Sequence, residues 1–126
     1  MTSPTLPPNI PPLAYDKDEY RHYLPEYGPG GAGIMVMWDY EHEAWRMTDL
    51  QVHPDLREQG LGNRILTIIT DWADAGGHRL LLFAEPIGND GPTTTQLIRW
   101  YKRYGFTHMP RKHQSVMIRQ PKGAPP

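Results

Sequence analysis

Two glycines, Gly60 and Gly62, constrain this chain more than any other feature. They sit within the stretch Leu50 to Ala73, where a short strand through Val52-His53-Pro54 runs into Arg57-Glu58-Gln59-Gly60-Leu61-Gly62 and then into a helix. Neither glycine carries a Cβ, so the backbone can curl tightly and a bulky anion can approach the main-chain amides. The helix is legible from spacing: Leu61, Ile65, Ile68, Ile69, Trp72 and Ala73 recur on one face, and Gly76-Gly77 supplies the stop. Its N-terminus directs free N–H groups and the positive end of the helix dipole into the glycine loop. A strand, a glycine loop and a helix in that order make a place for phosphate. Arg57 and Arg64 flank the loop and can neutralise phosphate charge, while the amides from Gln59 to Asn63 can line a pyrophosphate.

A second stretch stands about forty residues on, Leu97-Ile98-Arg99-Trp100-Tyr101-Lys102-Arg103-Tyr104-Gly105-Phe106. The first run, Leu50-Gln51-Val52-His53-Pro54-Asp55-Leu56-Arg57-Glu58-Gln59-Gly60-Leu61-Gly62, resembles the acyl-CoA signature of the GNAT superfamily of N-acyltransferases. In that signature, Arg/Gln-x-x-Gly-x-Gly/Ala binds the coenzyme A pyrophosphate. The second stretch resembles the family's other signature, a helix ending in Tyr-x-x-x-Gly-Phe, and the likeness covers roughly Ile34 to Arg119. It implies an α/β (α+β) single domain with a mixed, mostly antiparallel, splayed central sheet flanked by helices. It also implies acetyl-CoA as acyl-donor co-substrate, with no metal. Typical members spend far more chain before the first of these strands, on a strand and two helices that help form the acceptor pocket; this chain has an abbreviated version at best.

At 126 residues the chain is one domain, and 38% hydrophobic residues allow a modest core. Cysteine is absent, which excludes disulfides, thiolate metal sites and a cysteine nucleophile, and the six histidines show no metal-ligand spacing. No apolar run is long enough for a membrane span or a signal peptide, so a soluble, cytoplasmic protein is expected. The net charge of −1 hides an asymmetry: residues 1–90 hold all 14 acids and carry −8, whereas residues 91–126 hold no acid and carry +7. A basic segment can track nucleic acid, but it can equally meet the phosphates of a nucleotide-containing cofactor.

Taken in order, residues 1–13 hold five of the fourteen prolines and read as a flexible arm. Tyr20, Tyr23, Leu24 and Tyr27 suggest a short helix over Asp16 to Tyr27, ended by Gly28-Pro29-Gly30-Gly31. Ile34 to Trp38 reads as a buried strand and Trp45 to Val52 as its hairpin partner. In the second strand Trp45 and Met47 follow one parity while Leu50 and Val52 follow the other, which predicts a bulge near Thr48-Asp49. The resembled family also bulges this strand, turning a main-chain amide toward the thioester carbonyl. His78 to Ala84 reads as a central strand, Glu85 to Thr93 as a loop, and Thr93, Thr94 and Thr95 as N-caps for the next helix. Phe106 to Met109 and Gln114 to Arg119 form a closing hairpin, so the domain proper is expected over 14–119, with a flexible tail over 120–126.

Acyl transfer from a thioester to an amine needs a neutral amine, a stabilised oxyanion and a proton for the leaving thiolate. The family pattern puts the last task on Tyr101, with Tyr104 as the alternative. For the oxyanion, a main-chain amide from Leu50, Gln51 or Val52 is expected. Glu85, at the C-terminal end of a central strand, is the expected base; Asp49 and His53 are alternatives, and water can carry the proton instead. Cofactor contacts are thus expected at Leu50, Gln51, Val52, Arg57, Glu58, Gln59, Gly60, Leu61, Gly62, Asn63, Arg64 and Tyr101. Thr94 joins them, standing where family members often place an Asn on the pantetheine. Lys102, Arg103 and Arg99 are all within reach of an adenosine 3′-phosphate. Asp39, Glu41, Glu43 and Asp49 should border the acceptor side and favour a cationic amine, on a small molecule or a protein. A homodimer is left open. The competing reading is a non-catalytic coenzyme A-binding or adaptor module whose basic C-terminal face meets nucleic acid or an acidic protein.

Overall fold

The computed structural model describes residues 6–86 and 91–123. Seven strands, β1 (Ala14–Asp16), β2 (Arg21–Tyr23), β3 (Ala32–Asp39), β4 (Ala44–Val52), β5 (Leu80–Phe83), β6 (Thr107–His108) and β7 (Val116–Arg119), form one sheet in the order β1-β2-β3-β4-β5-β7-β6. Two helices, α1 (Leu61–Gly76) and α2 (Thr94–Lys102), flank it. Every pairing is antiparallel except β4 with β5, where α1 carries the chain back to start β5 in the same direction. This is the mixed, mostly antiparallel architecture expected.

Periodicity explains the layers. On β3, Ile34 and Val36 are buried while Met37 on the other face is exposed. Ile34, Val36, Met47, Leu80, Leu82 and Met117 join Leu61, Ile65 and Ile69 of α1 and Tyr101 and Phe106 from the α2 end in one core, so both helices cover the same face. Leu81, Ala44 and Ile118 make a smaller cluster on the other face. The helix ends are specified locally. Gly77 closes α1 in the left-handed region at φ 70°, and Thr93 opens α2 with a reciprocal capping box to Gln96.

The parallel pairing of β4 and β5 runs only from Trp45↔Leu80 to Met47↔Leu82. Beyond it the strands part, and a cavity occupies the opening this leaves between them. The expected bulge lies at the same place. Gly33 pairs with Gln51 and Met35 with Thr48, so Asp49 and Leu50 together stand opposite Ile34, and Asp49 is pushed to φ 53°.

Three expectations need correction. In place of a helix over Asp16 to Tyr27 there is the β1–β2 hairpin, followed by a 3₁₀ turn over Pro25–Tyr27. Pro25 disfavours helical backbone at the residue before it, and Leu24 is extended at φ −73°, ψ 117°. Arg21-His22-Tyr23 is free instead to pair with β3. The described part of the arm, residues 6–13, is packed. Ile10 is 1% exposed, Leu13 joins the same core, and His22 Nε2 donates to the Pro8 carbonyl at 2.8 Å. Prolines restrict the unfolded segment, so two apolar anchors can order it at little entropic cost. The tail is also tied: the Lys122 N–H donates to Asp74 Oδ1 at 2.7 Å. Residues 1–5 and 124–126, within the expected arm and tail, lie outside the described residues, as do 87–90 of the expected loop.

Candidate active site

The cavity between β4 and β5 measures about 920 Å³. β4 contributes Thr48 through Val52, the strand-to-helix loop Arg57, α1 Gly62, the end of β5 Phe83 and Glu85, and α2 Leu97, Trp100 and Tyr101. Stretches far apart in sequence therefore meet here because the sheet splays, a long α1 spans from one side of the gap back to the other strand, and α2 closes its end.

The glycine loop is open at its centre. Gly60 has φ 71°, and a Cβ built there would meet nothing within 4 Å. It caps α1 with no side-chain hydrogen bond, and the first turn carries no acid. The first helical bond runs from the Arg64 N–H to the Gly60 carbonyl at 3.0 Å, which leaves the amides of Leu61, Gly62 and Asn63 without a helical acceptor. Three free amides, a positive dipole end and the Arg57 side chain at the cavity fit a pyrophosphate.

Other loop residues are spent differently. Arg64 is ion-paired with Glu26, which raises the Arg64 pKa and lowers that of Glu26. Its guanidinium is engaged by Glu26, whereas Arg57 lines the cavity. Asn63 Oδ1 accepts from Trp100 Nε1 at 2.6 Å and from the Tyr104 hydroxyl at 2.7 Å, tying α1 to α2. At Gly62 a Cβ would stand 3.3 Å from the Trp100 ring, so this glycine also admits the neighbouring helix. Glu58 is exposed at φ 70°, and Gln59 is exposed beside it.

Tyr101 lines the cavity at 8% exposure, and burial pushes its phenol up to about 12. It remains protonated at neutral pH. Tyr104, the alternative, has its hydroxyl committed to Asn63. Glu85 is exposed and lines the large cavity together with a smaller one of about 420 Å³ that also includes Phe83, Thr94, His113 and Ser115. Thr94 is thus placed at the smaller cavity rather than the larger. Asp49 and His53 both line the large cavity. His53 Nδ1, however, accepts from the Asp55 N–H at 3.1 Å, so its neutral ring carries the proton on Nε2 and presents a donor. That is the wrong form for a base.

The acidic hairpin is not at the site. Asp39 ends β3 and Glu41 and Glu43 occupy the turn that follows, on the order of 13 Å along the strand, at about 3.3 Å per residue, from Met47, the nearest β4 residue that lines the cavity. There the Asp39 carboxylate accepts from the His42 amide at 3.0 Å, and ligand-type atoms of Asp39, Glu41 and His42 lie within 4.8 Å of one another. Only Asp49 of the four borders the cavity. The expectation treated the hairpin as one locale, although most of β4 runs between the turn and Asp49.

Sequence reading missed Arg21. Its Nη2 donates to the carbonyls of Gly33 and Asp49, both at 2.9 Å, reaching across β3 to the bulge. Gly33 was the available signal, because a lone glycine inside an apolar strand marks a bulge or a close approach.

A family model described as an acetyltransferase (GNAT) domain matches residues 18–108. Among solved structures, the anti-CRISPR protein AcrVA5 aligns with a TM-score of 0.57 and 21% identity, covering 70% of this chain and 88% of its own. A Lactobacillus plantarum protein to which an N-acetyltransferase activity is ascribed aligns with a TM-score of 0.50 and 21% identity, over 79% of this chain and 66% of that one. N-acetylglutamate synthase from Neisseria gonorrhoeae, solved with coenzyme A and L-arginine, gives a TM-score of 0.50 and 19% identity, over 73% of this chain and 22% of the synthase. At these identities the three structures speak to the fold. No curated protein gives a significant sequence match.

Proposed function

The chain belongs to the GNAT acetyltransferase family, and from that premise we propose that it transfers an acetyl group from acetyl-CoA to a primary amine by direct attack in a ternary complex. One observation carries the reading: the bulged end of β4, Gly62 in the first turn of α1 and Tyr101 all line a single cavity. A module relieved of catalysis has no physical need for the three together.

In this reading the pyrophosphate of acetyl-CoA lies on the amides of Leu61, Gly62 and Asn63 beside Arg57, and the thioester lies along Leu50 to Val52. A neutral amine attacks the carbonyl carbon, a C–N bond forms, and the oxygen takes the negative charge, held by a main-chain amide of the bulge. Collapse breaks the C–S bond. The departing sulfur accepts a hydrogen bond and then a proton from Tyr101. A phenol at about 12 is a weak acid against a thiolate near 8.5, so the tyrosine mainly solvates the developing charge, and the proton shed by the amine can complete the exchange.

Glu85 takes the amine's proton, directly or through water, because it is the carboxylate shared by the two adjoining cavities. The acceptor enters through the smaller one. Asp49 and Glu85 place negative charge where an ammonium must arrive, which favours a cationic acceptor. The test is thiol release from acetyl-CoA across a panel of polyamines, aminoglycosides, lysine peptides and acidic peptides, alongside mass detection of the acetylated amine. Release that requires a cationic amine supports the reading; no acetylated product from any amine, by a folded protein whose melting temperature acetyl-CoA does not raise, would overturn it.

A further inference from the structure

The bulge on β4 creates a backbone problem that Arg21 solves. With Asp49 and Leu50 together opposite Ile34, one β4 residue is left out of the ladder, and at φ 53° the Asp49 peptide is turned away from strand geometry. A carbonyl that has lost its ladder partner needs another. Arg21 Nη2 supplies it at 2.9 Å, and the same nitrogen holds the Gly33 carbonyl at 2.9 Å. Arg21 makes no ion pair among the described residues. Its charge is committed to these two carbonyls.

The route is built into the neighbouring strand. Arg21 and Gly33 lie on the sheet face away from the helices, since their neighbours His22 and Ile34 are buried on the helix side. A Cβ on Gly33 would stand 3.5 Å from Arg21 Nε and 2.8 Å from the His22 carbonyl. The Arg21 distance is ordinary contact, while the His22 carbonyl is too close for any Cβ, so the glycine lets β2 lie against β3 where Arg21 crosses.

The consequence falls on the next amide. A trans peptide is planar, with its C=O and N–H antiparallel, so fixing the Asp49 carbonyl on Arg21 turns the Leu50 N–H away from Arg21. β2 and β3 lie on the Arg21 side of β4, and Leu50 lines the cavity on the other. We propose that Arg21 is a positioning residue: by holding the Asp49 carbonyl it aims the Leu50 N–H at the thioester oxygen, making that amide the oxyanion donor. This rests on the acetyltransferase reading for its chemical outcome, but not for the orientation of the peptide.

The experiment uses the full chain as wild type, Arg21→Ala and Arg21→Lys. Without ligand, the Leu50 amide 1H–15N resonance should shift in Arg21→Ala as its peptide turns, while the α1 and β5 amide resonances hold their positions. With substrates, kcat should fall roughly 100-fold, as for a reacting group displaced by about 1 Å, while coenzyme A affinity and the KM for acetyl-CoA stay near wild type. Added guanidinium should restore part of the loss in Arg21→Ala, and Arg21→Lys should fall between. An unmoved Leu50 resonance, or a turnover loss that follows the folded fraction and ignores guanidinium, would overturn the proposal. Should the wild type transfer no acetyl group, the acetyltransferase reading fails, and with it the oxyanion role; the Leu50 resonance then decides alone whether Arg21 sets the peptide.

Discussion

At the scale of single residues, the proposed chemistry separates residues that would meet a ligand from those that hold other side chains in place. In that proposal Tyr101 and Gly60 belong to the first group. Replacing Tyr101 with Phe keeps the ring against Trp100 and Phe106 and removes only the hydroxyl. We expect kcat to fall about 100-fold, the low end for a general acid, with acetyl-CoA affinity unchanged; steady-state kinetics beside calorimetry would show the split. Gly60→Asp is the complementary test. The position is open, Asp tolerates the left-handed region better than most residues, and a carboxylate at a helix N-terminus favours the dipole. The domain should therefore keep its melting temperature while acetyl-CoA binding weakens by a factor on the order of 100 or more from like charge against the pyrophosphate. Retained affinity in that folded variant would remove the phosphate from the loop. Gly60 was legible in the sequence because its spacing alone reports a tight turn. The engagements of Arg64 and Asn63 were not, since Glu26 and Trp100 come from segments whose positions only the fold decides.

At the scale of elements, what sequence resolved was what periodicity and capping resolve. β3, β4, α1, β5 and α2 each have a clear spacing, and the parity change in β4 located its bulge to within a residue. The β1–β2 hairpin escaped because its tyrosines also fit a helical face, and the deciding features were Pro25 and the exposed edge of β3. Between elements, the main polar tie is Arg119 on β7. It is 3% exposed, pairs in bidentate fashion with Asp74 of α1 at 2.9 and 3.0 Å, and donates from Nε to the Tyr104 carbonyl at 2.6 Å. It thereby fixes the turn after α2, and with it Tyr101. Asp74→Asn leaves a buried guanidinium without its counter-charge and should cost roughly 3 kcal/mol, the low end for a broken buried pair because Asp74 is partly exposed. The Arg119 guanidinium holds the Asp74 carboxyl below its usual value of 3.8. Its contribution is therefore complete above that value and is lost as pH falls through the lowered one. Urea titrations of both proteins should differ by the full amount at pH 7 and converge in strong acid; equal midpoints at neutral pH would remove this tie from the account.

At the scale of the whole molecule, charge and packing are divided between the two ends of the sheet. The cavity lies at the C-terminal end of β4, the acid–imidazole turn at the other, and the N-terminal segment closes the core beside β2. None of the described helices is long and apolar enough to cross a membrane. Composition could show that acids and bases were segregated along the chain, but not where the strands would carry them. Nor could it show that a proline-rich segment would contribute core residues. That segment supplies a pH dependence. His22 is 1% exposed, its Nε2–H donates to the Pro8 carbonyl, its ring tilts against Tyr15 at 4.9 Å, and its Nδ1 is buried without a partner among the described residues. A second proton would have to go on Nδ1, where nothing accepts it. Burial holds the folded pKa below the ordinary 6.5, opposed only in part by the Pro8 bond. Above about pH 6.5 the ring is neutral in both states and stability does not depend on it. Below that, the unfolded chain takes up a proton that the folded one refuses, so stability falls with pH, by at most about 1.4 kcal/mol per pH unit for one such group. His78, also lowered by burial, adds a slope of the same sign. His22→Gln keeps an N–H for Pro8 and removes the titration. Thermal melts from pH 7.5 to 5 should show a falling midpoint in the wild type and a visibly flatter one in His22→Gln, and parallel slopes for the two proteins would rule out the N-terminal anchor as the source.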